Sequence, residues 1–203
     1  LDYKYADHTL SDREYSMVML FMTTFRRPAN LKQLKVKDLI ANSNILATKQ
    51  TIFRLNIPRS KGEGRKFRTQ SKAFALVESI GLVLTKHIQS SIKEAEAKIG
   101  RKLKEEEAKE LPMFFNHRLI DHLCENNTDN SIDYLRSEIS HLTTHELTTE
   151  LQAIVDKLEI ISERTGELLK TTAYRFRYTG GTRAAEAKAG AVTIAELLDH
   201  ENT

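Results

Sequence analysis

Apolar residues fill most positions from Tyr15 to Phe25, which predicts a helix buried on much of its circumference. Just before it, Ser11 and Glu14 stand three residues apart. That is the pattern of a capping box, in which the serine accepts from the Glu14 amide while the carboxylate reaches back. Pro28 suits the first turn of a second helix, and Leu31, Leu34, Val36 and Leu39 give that helix an apolar side. The texture then changes. Thr51 to Ile57 alternates β-branched and aromatic residues with polar ones and reads as a strand. Gly62-Glu63-Gly64 signals a turn, and Lys66-Phe67-Arg68-Thr69 reads as the returning partner. Helical spacing resumes with Phe74, Leu76, Val77, Ile80 and Ile88, and the charged stretch Lys93 to Glu110 continues it until Leu111-Pro112 breaks the pattern. Asp129 to Glu163 is acidic, helical in pattern and poor in Gly and Pro. Thr143 with Glu146 and Thr193 with Glu196 repeat the capping-box signature. Neither an internal repeat nor a low-complexity linker interrupts the chain. The pattern predicts a mainly α protein with a small antiparallel β-sheet near its basic third.

Composition narrows the class. With 203 residues, 40% of them apolar and 29% charged, the chain has enough Leu, Ile and Phe for a real core, and wholesale disorder is excluded. The apolar run from Met17 to Met22 falls far short of the roughly 18 residues that a membrane span needs. No basic-then-apolar leader opens the sequence, so secretion is not expected. The single cysteine, Cys124, excludes an internal disulfide framework and a Cys-based zinc cluster, and the expected compartment is reducing and cytoplasmic.

The net charge of +3 conceals a strong asymmetry. Between Thr23 and Lys72, thirteen basic residues face only Asp38 and Glu63, a local balance of +11. Between Asp121 and Glu167, eleven acidic residues face Arg136, Lys157 and Arg164, a balance of −8. Such a division fits a polyanion-binding face with a solvated acidic back.

Specific residues give the basic region a job. From Arg27 the sequence runs Arg-Pro-Ala-Asn-Leu-Lys-Gln-Leu-Lys-Val-Lys-Asp, ending at Asp38. This resembles the first arginine box of the tyrosine recombinases, the phage integrase family: an arginine at a helix start, then a polar or acidic residue, Leu and Asp at the offsets of Asn30, Leu34 and Asp38. The family usually has Gly two residues before the arginine, where this chain has Phe25. Thr172 to Thr179 resembles the family's His-x-x-Arg-His-Thr segment, with Arg177 as the second arginine and Tyr174 in the usual His position. Leu197-Leu198-Asp199-His200 resembles the stretch ending Leu-Leu-Gly-His, and Arg177 and His200 are 23 residues apart, as the resemblance requires. The family's lysine is best matched by Lys61, at the tip of the expected hairpin, with Lys66 competing. A slip of one residue would exchange Arg26 for Arg27.

The resemblance implies the tyrosine recombinase catalytic-domain fold over the whole chain as a single domain, with an acidic helical insertion at about residues 120–165. It also implies that an N-terminal DNA-clamping domain and a C-terminal tail lie outside these residues. The nucleophilic tyrosine would fall about nine residues beyond His200, past Thr203. By resemblance, Arg27 and Arg177 clamp the scissile phosphate, Lys61 is the general acid, His200 adds a hydrogen bond, and Tyr174 orients. Two guanidiniums brace non-bridging phosphate oxygens and stay charged at any working pH, while a lysine delivers a proton to the leaving 5′ oxygen. Tyrosine in place of histidine removes a base that titrates near neutrality. The expected activity is site-specific recombination through a 3′-phosphotyrosine, for integration or excision of a mobile element, with no metal and no other cofactor. The expected partners are double-stranded DNA attachment sites, further copies of the chain in a tetramer, and accessory DNA-bending proteins, in the bacterial cytoplasm at the nucleoid.

Other readings remain. A DNA-binding regulator that kept the fold and lost the nucleophile is the main alternative. Type IB topoisomerase-like relaxation fits less well. A helical protein-interaction module predicts no salt-sensitive DNA binding. His117, His122 and Cys124, or His141 with His145, supply no complete metal-ligand set. Gly180-Gly181 follows no strand and lacks a P-loop lysine, so close helix packing is its expected role.

Overall fold

The computed structural model describes residues 2–43, 51–59, 68–125 and 131–200. Ten α-helices run in chain order among these residues: α1 (Asp2–Ala6), α2 (Asp12–Thr24), α3 (Pro28–Leu31), α4 (Glu78–Ile99), α5 (Glu105–Glu110), α6 (His117–Glu125), α7 (Ser131–Arg136), α8 (Thr144–Lys157), α9 (Ala173–Glu186) and α10 (Ala191–Leu198). Three strands lie between α3 and α4: β1 (Leu39–Ser43), β2 (Thr51–Pro58) and β3 (Ser71–Leu76). The expected mainly α class with a small antiparallel sheet is therefore observed. The chain forms two compact units, Leu1–Leu31 with Thr144–Thr203, and Lys32–Thr143.

In the first unit, α2 starts as its sequence dictates. Ser11 Oγ accepts from the Glu14 amide at 3.2 Å while the Glu14 carboxylate accepts from the Ser11 amide at 2.8 Å. Met17, Leu20 and Phe21 are almost completely buried, and the helix packs against α8 and α9. Phe21 and Phe176 bring α2 and α9 together with ring centroids 6.1 Å apart. Arg13 grips Glu150 of α8 through two hydrogen bonds of 2.6 and 2.9 Å.

The second unit is built on the sheet, in order β1-β2-β3 and antiparallel throughout. Alternation along β2 sends Phe53, Leu55 and Ile57 inward, and α4 covers them. Gly100, at φ 77°, supplies the left-handed residue that ends α4. Ala95, Leu111, Leu119, Leu123 and Leu135 form a core shared by α4, α6 and α7.

Several local expectations are corrected. The helix begun by Pro28 lasts one turn, to Leu31. Beyond it, Lys35 makes a β-bridge to Pro112, Val36–Asp38 form a 3-10 turn, and Leu39 opens β1. The partner of β2 begins at Ser71, and the expected strand Lys66–Thr69 lies partly outside the described residues. Phe74 and Leu76 belong to that strand, because period-two and helical patterns agree over so short a run. Thr193 lies inside α10, whose cap is Gly190, so its spacing to Glu196 is not a capping box. The acidic stretch is divided, with α6 and α7 in the second unit and α8 in the first.

Asp38 explains why an acid suits the end of the first box. Its carboxylate accepts from the Lys35 amide at 2.7 Å and takes both ends of the Arg68 guanidinium at 2.9 and 2.8 Å. It thus fixes the turn that delivers the chain into β1 and receives the residue that precedes β3.

His141 provides a pH test of this unit. It is 3% exposed, and in the neutral ring Nδ1–H donates to the Lys32 carbonyl at 2.7 Å. Burial, abetted by the positive charges of Lys35, Arg68 and Lys32, pushes its pKa down to about 3 against the lift from that carbonyl. The unfolded chain takes up this proton near pH ~6.5, so the contribution is complete above that pH and falls away toward pH 3. Urea titrations are expected to show a loss of about 2–3 kcal/mol between pH ~7 and ~4.5 that His141→Gln removes. An unchanged pH slope in the variant would refute the assignment.

Candidate active site

Four of the five site residues expected from sequence, Arg27, Tyr174, Arg177 and His200, belong to the first unit. Lys61, with its competitor Lys66, lies outside the described residues. The helix ends around Arg177 explain how the local chain builds the site.

Helix α2 ends at Phe25, which adopts left-handed φ 51° and ψ 24°. The chain then reverses into α3, whose first amides, of Asn30 and Leu31, donate to the Arg27 carbonyl at 2.9 and 3.2 Å. Pro28 at the first helical position needs no amide partner there, so Arg27 is held in the tight junction between two helices. Its side chain is half-buried.

Arg177 lies on α9 and is 6% exposed. Its Nη1 donates to the Phe25 carbonyl at 3.0 Å, and its Nη2 donates to the Leu198 carbonyl. These acceptors stand at the C-terminal ends of α2 and α10, where carbonyls without helical partners concentrate negative potential. The guanidinium therefore bridges two helix ends. Burial lowers its pKa first, and the positive charges of Arg27 and then Arg26 lower it further, while Asp199 and Tyr174 act in the opposite sense. Arginine nevertheless stays protonated in proteins. Three guanidiniums with one nearby carboxylate make a pronounced centre of positive charge.

Tyr174 is one turn before Arg177 and 44% exposed, so its phenol is open to solvent. His200 is also exposed and follows directly on α10. There, Asp199 at φ 54° closes a Schellman motif: the His200 amide donates to the Ala195 carbonyl at 2.8 Å, and the Asp199 amide to the Glu196 carbonyl at 3.2 Å. Both positions at which the resemblance has glycine, Phe25 and Asp199, are thus left-handed in this chain. Side chains there cost about 1–2 kcal/mol each relative to glycine.

Sequence reasoning treated Arg26 only as a competitor for Arg27. In the structure its side chain is 4% exposed and forms an ion pair with Asp199, Nη1 to Oδ2 at 3.7 Å. The one sequence feature that could have found it is the acid Asp199 at the glycine position of the last box. A cavity of about 890 Å³ in this unit is lined by Phe25, Arg175, Phe176 and Thr179 among others, but by none of Arg27, Tyr174, Arg177 and His200. Among the described residues, no group of three or more His, Cys, Asp or Glu is placed to hold a metal ion. His122 instead stacks on Tyr134 at 3.6 Å between ring centroids. Nor is any described helix long and apolar enough to cross a membrane.

No protein-family model and no curated protein sequence matches the chain. Solved structures do. XerA recombinase superposes with a TM-score of 0.56 at 14% identity, covering 95% of this chain and 50% of that one. XerH site-specific recombinase, bound to its difH substrate in a pre-cleavage complex, superposes with a TM-score of 0.51 at 18% identity, covering 96% of this chain and 41% of that one. The chain thus spans half or less of the length of these recombinases. At such identities the likeness concerns the fold, which is that of the tyrosine recombinase catalytic domain.

Proposed function

We propose that this chain is the catalytic part of a site-specific tyrosine recombinase that cuts and rejoins double-stranded DNA through a 3′-phosphotyrosine, for integration or excision of a mobile element. The observation that carries the reading is the gathering of Arg27 and Arg177, 150 positions apart in sequence, around one centre of positive charge in a recombinase fold.

In this reading Arg27 and Arg177 brace the non-bridging oxygens of the scissile phosphate as charge builds on them. His200 adds a hydrogen bond, Tyr174 orients, and Lys61 protonates the departing 5′ oxygen. The nucleophile is a tyrosine about nine residues beyond His200. Its hydroxyl passes its proton to an acceptor group near it as its oxygen bonds to phosphorus and the bond to the 5′ oxygen breaks. A 5′-hydroxyl from another duplex later reverses the exchange, so the ester conserves the energy and no nucleotide cofactor is required. Paired attachment sites are held by four copies of the chain, with accessory DNA-bending proteins as further partners.

The test uses the chain extended by about 20 residues beyond Thr203, mixed with nicked attachment-site duplex in EDTA. A denaturation-resistant protein–DNA adduct is expected, with Arg177→Ala reducing its yield at least ~100-fold. Salt-sensitive binding without any adduct would replace this reading with the regulator. The substitution of Tyr174 for the family's histidine gives that second reading its specific support.

A further inference from the structure

We propose that Arg26 and Asp199 act as a positioning pair for the Arg177 guanidinium, an inference that rests on the recombinase reading for its purpose. The two acceptors of Arg177 are the carbonyls of Phe25 and Leu198. Each belongs to a peptide group whose other half is a member of the pair, since Arg26 follows Phe25 and Asp199 follows Leu198. A peptide group is planar, so each carbonyl turns together with the N–H and Cα of the residue that follows it, and anchoring that residue's side chain limits how far the plane can turn. The ion pair between Arg26 and Asp199 therefore joins the two peptide planes that hold Arg177.

Burial gives the pair its effect. The Arg26 side chain is 4% exposed and that of Asp199 is 11% exposed, so solvent screens their attraction little. Phe25 and Asp199 both occupy left-handed conformations that favour glycine, and each brings a compensating contact. The Phe25 ring lies against Gly180 of α9, and the Asp199 carboxylate faces Arg26. A glycine at position 199 would relieve the backbone but would leave the buried Arg26 charge without this acid. The carboxylate also opposes the mutual repulsion of Arg26, Arg27 and Arg177, which keeps the arginines together when no phosphate is bound. Arg26 and Asp199 thus act through Arg177, whose remaining N–H groups meet the phosphate.

The test reads the guanidinium directly, by 15N NMR of arginine side chains in the 203-residue chain. Hydrogen bonds to two carbonyls slow rotation about the guanidinium bonds, so separate Nη–H signals are expected for Arg177, assigned by their disappearance in Arg177→Lys. Arg26→Leu combined with Asp199→Gly removes both buried charges together and is expected to keep the chain folded. In that variant the resolved Arg177 signals should be lost to rotational averaging, and Arg26→Lys, which preserves the charge, should retain them. Unaltered Arg177 signals in the folded double variant would overturn the proposal and leave the pair a purely structural tie. Salt-dependent binding of wild type to a plain duplex is measured separately. Its absence would remove the recombinase reading, while the NMR result still decides whether the pair holds Arg177.

Discussion

Glu110→Ala is expected to destabilise the unit Lys32–Thr143 by about 3–5 kcal/mol, the largest single effect on stability that the structure indicates. The Lys35 side chain is 1% exposed, and its ammonium donates to Glu110 Oε2 at 2.7 Å and to the Leu135 carbonyl at 2.8 Å. Burial lowers the Lys35 pKa, the charges of Arg68 and Lys37 lower it further, and Glu110 is the group that opposes them. For Glu110, burial acts to raise the pKa, but the hydrogen bonds from Lys35 and Lys37 prevail and hold it below the ordinary carboxylate value. Removal of the carboxylate leaves a buried ammonium without this acid, which favours its deprotonation or the entry of water. Lys35→Met together with Glu110→Leu removes both charges at similar volume and should recover most of the lost stability. Chemical denaturation of the three proteins checks this. A Glu110→Ala loss below about 1 kcal/mol would show that water already reaches the pair.

The second large effect concerns Gly180. A Cβ built there would come within 2.4 Å of the Phe25 ring, far inside van der Waals contact. Gly180→Ala must therefore shift the Phe25 ring, α9 or the end of α2, and overpacking of this kind costs about 1–3 kcal/mol. The clash falls on the residue whose carbonyl receives Arg177, so a shift of its backbone would reach the Arg177 guanidinium. Gly180→Ala is expected to lower thermal stability and to cut adduct formation by the extended chain at least ~10-fold. Phe25→Ala in the same protein frees the space and should restore stability. If Gly180→Ala alone is neutral in both assays, the close packing of α9 on Phe25 is not rigid. The same contact accounts for the unusual aromatic at position 25: its ring fills the space over Gly180 that a side chain there would otherwise occupy.

Much of this architecture was legible in the order of residues. The capping box at Ser11, the buried run of α2, strand β2 and the break at Leu111-Pro112 all express interactions between near neighbours, whose cost or gain is set by a few residues of chain. The arginines at 27 and 177 stood out because the residues around them resemble the two arginine boxes of the tyrosine recombinases. Elements were misread where two local patterns agree. Phe74 and Leu76 fit a helix or a strand equally, and pairing with Phe53 and Leu55 made them a strand. Leu34 and Val36 looked like the continuing face of a helix, but bonds of 3.0 and 2.8 Å to Leu111 and Met113 drew that segment out of it.

The sequence by itself determined the mainly helical class with its small sheet, the basic and acidic stretches, and the glycine at 180 where α9 packs closely. Each follows from local spacing or from a residue type that few substitutes can replace. Only the tertiary structure decided that Arg177 spans two helix ends, that Arg26 is paired with Asp199, and that Lys35 is buried against Glu110. Those partners are separated by at least 75 positions, apart from Arg177 and Leu198 at 21. A buried charge selects its partner by proximity in the folded core, where desolvation penalises every alternative, and that proximity is not encoded in any short stretch of chain.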